Sequence, residues 1–127
     1  MEFSQPKGIY RQIADQIRDR ILDGEWQSGE RIPSIRELAM SVGVNPNTVT
    51  KTYQTLVDRQ IIENQRGLGY FVAPDARERI LAELKADFLD DELPRVFRTM
   101  RALGMRLEDL AAPYARATAE ASNGEDR

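Results

Sequence analysis

The segment Ser34-Ile35-Arg36-Glu37-Leu38-Ala39-Met40-Ser41-Val42-Gly43-Val44-Asn45-Pro46-Asn47-Thr48-Val49 decides the architecture, because it holds two helix starts in quick succession. Ser34 can cap a helix, and Glu37, three residues on, completes a capping box. Ile35, Leu38, Ala39 and Val42 then form an apolar stripe, which Gly43 closes. Asn45 as N-cap and Pro46 at the first helical position open a second helix. Val49, Tyr53, Leu56 and Val57 supply its buried face. Only Gly43-Val44-Asn45 separates the two helices, and a short turn containing glycine predicts helix-turn-helix geometry rather than an antiparallel bundle.

Working outward, Ile9, Ile13, Ile17 and Ile21 recur every four residues, with Ala14 and Leu22 beside them. This predicts an amphipathic helix ending at Asp23-Gly24. Gln27-Ser28-Gly29-Glu30 reads as a loop, and Arg31-Ile32 as a short extended piece entering Pro33. Downstream of the two helices the period switches. Ile61-Ile62-Glu63-Asn64-Gln65 and Tyr70-Phe71-Val72-Ala73 are β-prone runs around Arg66-Gly67-Leu68-Gly69, a tight hairpin. Three helices and a hairpin make a winged helix-turn-helix domain, expected over residues 1–74.

Residues 75–121 read as helical. Ile80, Leu81, Leu84, Phe88 and Leu89 share one face, then Val96, Phe97, Met100 and Leu103, with Pro94 kinking or interrupting the helix between them. Gly104 ends it. Leu107, Leu110 and Ala111 begin a last short helix that Pro113 is expected to distort, and 122–127 reads as a disordered tail. An apolar face of this size is too large to leave exposed on a monomer. Part of it packs inward, and the rest is expected to meet the same face of a second chain across a two-fold axis. The fold class is therefore mainly α with a small β-hairpin: a winged helix-turn-helix domain plus a short C-terminal helical dimerisation appendage.

Composition narrows the chemistry. The 127 residues include no Cys and no His, which removes thiol catalysis, disulfides, thiolate zinc sites and the commonest general base and metal ligand. Asp87, Asp90, Asp91 and Glu92 form the one dense carboxylate cluster and read as a solvated helix face, so neither an enzyme, a cofactor nor a metal site is expected. No apolar run approaches the roughly 20 residues of a membrane helix. The start Met1-Glu2-Phe3-Ser4-Gln5 lacks the features of a secretory signal, so a cytoplasmic protein without a membrane partner is expected. Charge is divided: residues 1–74 are neutral overall, and 75–127 carry the net −3. Within 31–56, Arg31, Arg36 and Lys51 face a single acid, Glu37. That local excess suits a phosphate-facing surface, or is an ordinary solvated one.

In a winged helix-turn-helix domain the second helix of the motif lies in the major groove with its N-terminal turn at the base edges. Here that turn carries Asn45, Asn47, Thr48 and Thr50, with Lys51 one step along. Asn pairs bidentately with adenine, and Thr reaches a base or packs on a thymine methyl. Asn45 is either a contact or only a cap. Arg36 is either a phosphate or base-edge contact or the partner of a neighbouring carboxylate. Arg66 at the hairpin tip either enters the minor groove, with Gly67 and Gly69 letting the backbone approach phosphate, or the two glycines are only a generic turn signal.

Four separated motifs carry a resemblance: Tyr10-Arg11-Gln12-Ile13-Ala14, Gly29-Glu30-Arg31-Ile32-Pro33-Ser34-Ile35-Arg36-Glu37-Leu38-Ala39, Gly43-Val44-Asn45-Pro46-Asn47-Thr48-Val49 and Gly67-Leu68-Gly69-Tyr70-Phe71-Val72. In order and spacing they resemble the DNA-binding domain of the GntR family of bacterial regulators over roughly residues 8–73. The short helical appendage resembles the YtrA subfamily, in which it dimerises the protein. The resemblance implies a transcription regulator, a repressor, that binds a near-palindromic double-stranded DNA operator as a homodimer. It implies DNA contacts at Arg36, Asn47, Thr48 and Thr50, and a wing glycine at Gly67. The chain departs from the pattern at Pro46 and Thr50, where several members carry Arg, so their guanine contacts do not transfer. Ser28-Gly29 stands where Pro-Gly is common, and Gln60 where Gly is frequent. The competing class is a winged-helix protein-interaction module without sequence-specific DNA binding. The residues identify no small-molecule effector.

Overall fold

A computed structural model describes residues 6–125 and divides the chain into two compact units, Met1–Leu84 and Lys85–Arg127. In the first, α1 (Pro6–Leu22), α2 (Ile35–Val42) and α3 (Pro46–Asp58) precede a hairpin of β1 (Ile62–Gln65) and β2 (Gly69–Val72), and α4 (Ala76–Asp87) follows. The isoleucine stripe of α1 behaves as its spacing requires: Ile13, Ile17 and Ile21 are buried with Leu38 and Ala39 of α2 and Val49, Tyr53 and Leu56 of α3. The hairpin is antiparallel, pairing Ile62 with Val72 and Gln65 with Gly69. Arg31 adds an antiparallel bridge to Phe71, flanked by hydrogen bonds from the Ile32 N–H to the Tyr70 carbonyl and from the Val72 N–H to the Glu30 carbonyl, both 2.9 Å. The short extended piece is thus a third edge of the wing.

Gln60, before β1, has φ +64, the left-handed region. A side chain there costs roughly 1–2 kcal/mol, whereas glycine adopts it freely at some expense in unfolded-state entropy. Gln60→Gly is expected to stabilise the chain by about 0.5–1 kcal/mol net, read as a shift of the denaturation midpoint.

The structure moves the expected domain boundary from Pro74 to Leu84. Ala76 and Ile80 are fully buried in the core of the first unit, so Ile80 is corrected from a dimer-face residue to a winged-domain core residue. Its allegiance follows from the chain leaving β2 directly into α4, which brings the first two turns against the open end of the core. Glu83 lies 3.7 Å from both the Arg18 and Arg59 guanidiniums, and the Arg77 guanidinium donates to the Leu22 carbonyl.

In the second unit a π-helical turn, Phe88–Glu92, precedes α5 (Leu93–Leu103). The Leu93 N–H reaches the Phe88 carbonyl, five residues back. The widened turn accommodates Pro94, which lacks an N–H and crowds the carbonyl four residues before it. Gly104, φ +70, closes α5, and a 3₁₀ turn, Leu107–Leu110, leads into α6 (Ala111–Glu125). Pro113 sits in the first turn of α6, where the missing N–H is not needed. The helix continues through four of the residues expected as a disordered tail, leaving Asp126 and Arg127 outside the described residues.

Among the described residues of the second unit only Met100 is buried, at 7% exposure. It is therefore an inward residue, unlike Phe88, Leu89, Val96, Phe97, Leu103, Leu107 and Tyr114, which are exposed, as are Leu81 and Leu84 on α4. Among the described residues no helix is long and apolar enough to cross a membrane.

Candidate nucleic-acid interface

The capping box of α2 forms as its sequence requires. The Ser34 hydroxyl accepts from the Glu37 N–H at 3.1 Å, and the Glu37 carboxylate accepts from the Ser34 N–H at 2.8 Å. These two bonds with Ser34, and less strongly the Arg31 charge, hold the Glu37 carboxyl below its ordinary value. The box fixes the first turn of α2, on which Arg36 is exposed. None of the ion pairs among the described residues includes Arg36.

Gly43, φ +73, ends α2, and its N–H bonds the Ala39 carbonyl. Asn45 then caps α3: its side-chain oxygen accepts from the Asn47 N–H at 2.8 Å. This commits the acceptor half of the Asn45 amide to the helix and leaves its NH₂ for another partner. Asn47 is exposed, and its carboxamide makes no hydrogen bond among the described residues, so donor and acceptor are both available. Thr48 is half-buried, and its N–H bonds the Asn45 carbonyl at 2.9 Å. Thr50 is exposed, and its hydroxyl donates to the Pro46 carbonyl at 3.0 Å, which leaves the oxygen lone pairs able to accept. The Lys51 ammonium lies 5.6 Å from the centre of the Tyr10 ring, a cation–π contact that ties this cation to α1.

The angle of α3 is fixed from behind. The Tyr53 hydroxyl donates to the Pro33 carbonyl at 2.7 Å, and its ring meets Tyr70 of β2 edge-on at 4.8 Å and 73°. Burial raises the Tyr53 phenol well above its ordinary range, so it stays neutral and keeps donating. In the wing, the Leu68 N–H closes the turn on the Gln65 carbonyl at 2.8 Å, with Gly67 at φ +77. Arg66, Gly67 and Leu68 are all exposed at this tip.

The first unit thus carries three exposed polar features: the α2 start with Arg36, the α3 start with Asn47 and Thr50, and the wing tip with Arg66. Sequence reasoning counted Arg31 only as part of a positive stretch. The structure places it on the strand piece beside β2. The carboxylates Asp87, Asp90, Asp91 and Glu92 are exposed, and no acidic group among the described residues is arranged to hold a metal ion.

Comparisons with known proteins agree with this geometry. The HTH-type transcriptional repressor YtrA of Bacillus subtilis is 36% identical over 102 residues, covering 80% of this chain and 78% of that one. A crystal structure of a GntR-family transcriptional regulator from Bacteroides thetaiotaomicron is similar with a TM-score of 0.79 at 38% identity, over 88% of this chain and 97% of that one. The AraR DNA-binding domain, solved in complex with operator ORR3, is similar with a TM-score of 0.51 at 33% identity, over 57% of this chain and 86% of that one. These relatives are regulators and not enzymes. Residues 9–72 match the family described as bacterial regulatory proteins, gntR family. With its winged helix-turn-helix in the matched span, the chain belongs to the GntR family of transcriptional regulators.

Proposed function

We propose that this chain is a cytoplasmic repressor that binds a near-palindromic operator as a homodimer. The observation that carries the reading is the exposed Asn47 carboxamide on the first turn of α3, in the same motif as the exposed Arg36, both without a side-chain partner among the described residues. In this reading Asn47, Thr48 and the Thr50 methyl meet base edges. Asn45 serves first as the cap, with its NH₂ left for a base or phosphate. Arg36, Lys51 and Arg66 act on the sugar–phosphate backbone or minor groove, and Gly67 lets the wing approach closely. The repressor sense is drawn from YtrA, a repressor by name.

Pairing follows from the second unit. Helices with a single buried side chain among the described residues do not make a core of their own, and their exposed Phe88, Leu89, Val96, Phe97 and Leu103 fit a second copy. Two joined winged units read half-sites about one helical turn apart.

An unbiased selection of bound duplexes with purified protein tests this: a two-fold symmetric sequence supports it, and no enrichment sinks it. Asn47→Ala is expected to cost about 1–3 kcal/mol and to relax preference at one position of each half-site. An unchanged selected sequence in both Asn47→Ala and Thr48→Ala would mean that α3 does not present this turn to the bases.

A further inference from the structure

Arg31 lies between the wing and the start of α2. Its backbone bridges Phe71 of β2, and its side chain reaches back along β2 to Gly69. The guanidinium lies over Gly69: a Cβ built there would stand 2.9 Å from the Arg31 Nε and 3.5 Å from one terminal nitrogen, so a side chain at 69 would displace it. Gly69 also has φ +122, a conformation side chains rarely adopt. The Arg31 charge is felt by Glu37 on the first turn of α2, beside Arg36. Yet none of the ion pairs among the described residues includes Arg31, and the residue is exposed. An exposed guanidinium over glycine backbone, with no ion-pair partner among the described residues, has all its N–H donors available to an anion.

We propose that Arg31 is a DNA phosphate contact, its guanidinium seated over Gly69 on the strand piece that leads from the wing to the start of α2. This rests on the operator-binding reading above. It adds a residue that belongs to neither the recognition helix nor the wing tip. Because a phosphate contact carries no sequence information, Arg31 weights all duplexes alike.

The test measures binding of the full-length chain to the selected operator and to a random duplex by fluorescence anisotropy across a salt series. Arg31→Ala is expected to reduce the slope of log affinity against log salt by about 0.9, and hence to weaken both duplexes about eightfold at 0.1 M salt. Arg31→Lys should retain most of the slope. Gly69→Ala, with circular dichroism confirming that it folds, should weaken binding in the same way. The double variant should then be no more than about twofold weaker than Arg31→Ala alone, which is the signature of shared function. If Gly69→Ala does not fold, the Arg31 variants decide. An unchanged slope in Arg31→Ala overturns the proposal, as does a fixed slope with altered base preference. Failure of the wild-type chain to bind any duplex overturns the operator-binding reading as well, which separates the two outcomes.

Discussion

Ending the chain at Pro74 rather than Leu84 is expected to remove about 3–5 kcal/mol of stability. The loss has identifiable parts. Ala76 and Ile80 are fully buried in the core of the first unit, and without them part of that core borders a cavity or water. The Glu83 carboxylate between Arg18 and Arg59, and the Arg77 bond to the Leu22 carbonyl, go with them. In the full chain, Ile80→Ala alone should cost about 3 kcal/mol, since a large side chain is deleted from a site with no exposure. The single Trp26, 8% exposed with the Arg20 guanidinium 5.0 Å from its ring, reports the transition by fluorescence in a denaturant titration. Equal midpoints for chains ending at 74 and 84 would show that α4 only decorates the winged unit.

Phe88→Asp is expected to leave the winged unit folded, turn the full chain into a monomer and weaken binding to the paired operator about 10²–10⁴-fold. Phe88 is 45% exposed, so the charge costs little in the isolated protomer but cannot be tolerated between two copies. The affinity falls because the second half-site is no longer held at an effective concentration near the millimolar range. Binding to an isolated half-site should be unchanged. Sedimentation separates the species, and anisotropy on whole and half operators gives the ratio. A variant that still sediments as a dimer, or binds the whole operator like the parent, removes Phe88 from the pairing face.

What was legible in the sequence was what short-range chemistry decides. The capping box Ser34/Glu37, the Gly43 end of α2, the Asn45-Pro46 start of α3 and the glycine-bounded hairpin all formed where their residues required. The misplacements came where an element's neighbours decide. Periodicity groups Ile80 with Leu81 and Leu84 on one helix, but cannot say that the first faces the winged core while the others remain exposed. The six alanines at 111, 112, 115, 117, 119 and 121 were a readable helix signal that outweighed the expected fraying after residue 121. For the proposed interface, Asn47 and Arg36 were singled out from motif position alone, whereas their lack of side-chain partners among the described residues follows only from the folded arrangement. The contact of Arg31 with Gly69 joins residues 38 apart, so no local pattern contains it.

Tyr53 has a consequence for what the duplex must do. Its hydroxyl on Pro33 and its ring on Tyr70 tie three things together: α3, the entrance to α2 and strand β2 of the wing. In the proposed reading, these two contacts limit how far the elements carrying Arg36, Asn47 and Arg66 can shift to absorb a mismatch. A stiff template selects for compliance in its target. Base steps that bend or narrow at low cost are favoured even where no side chain touches them, so part of the operator's sequence is written in its elasticity.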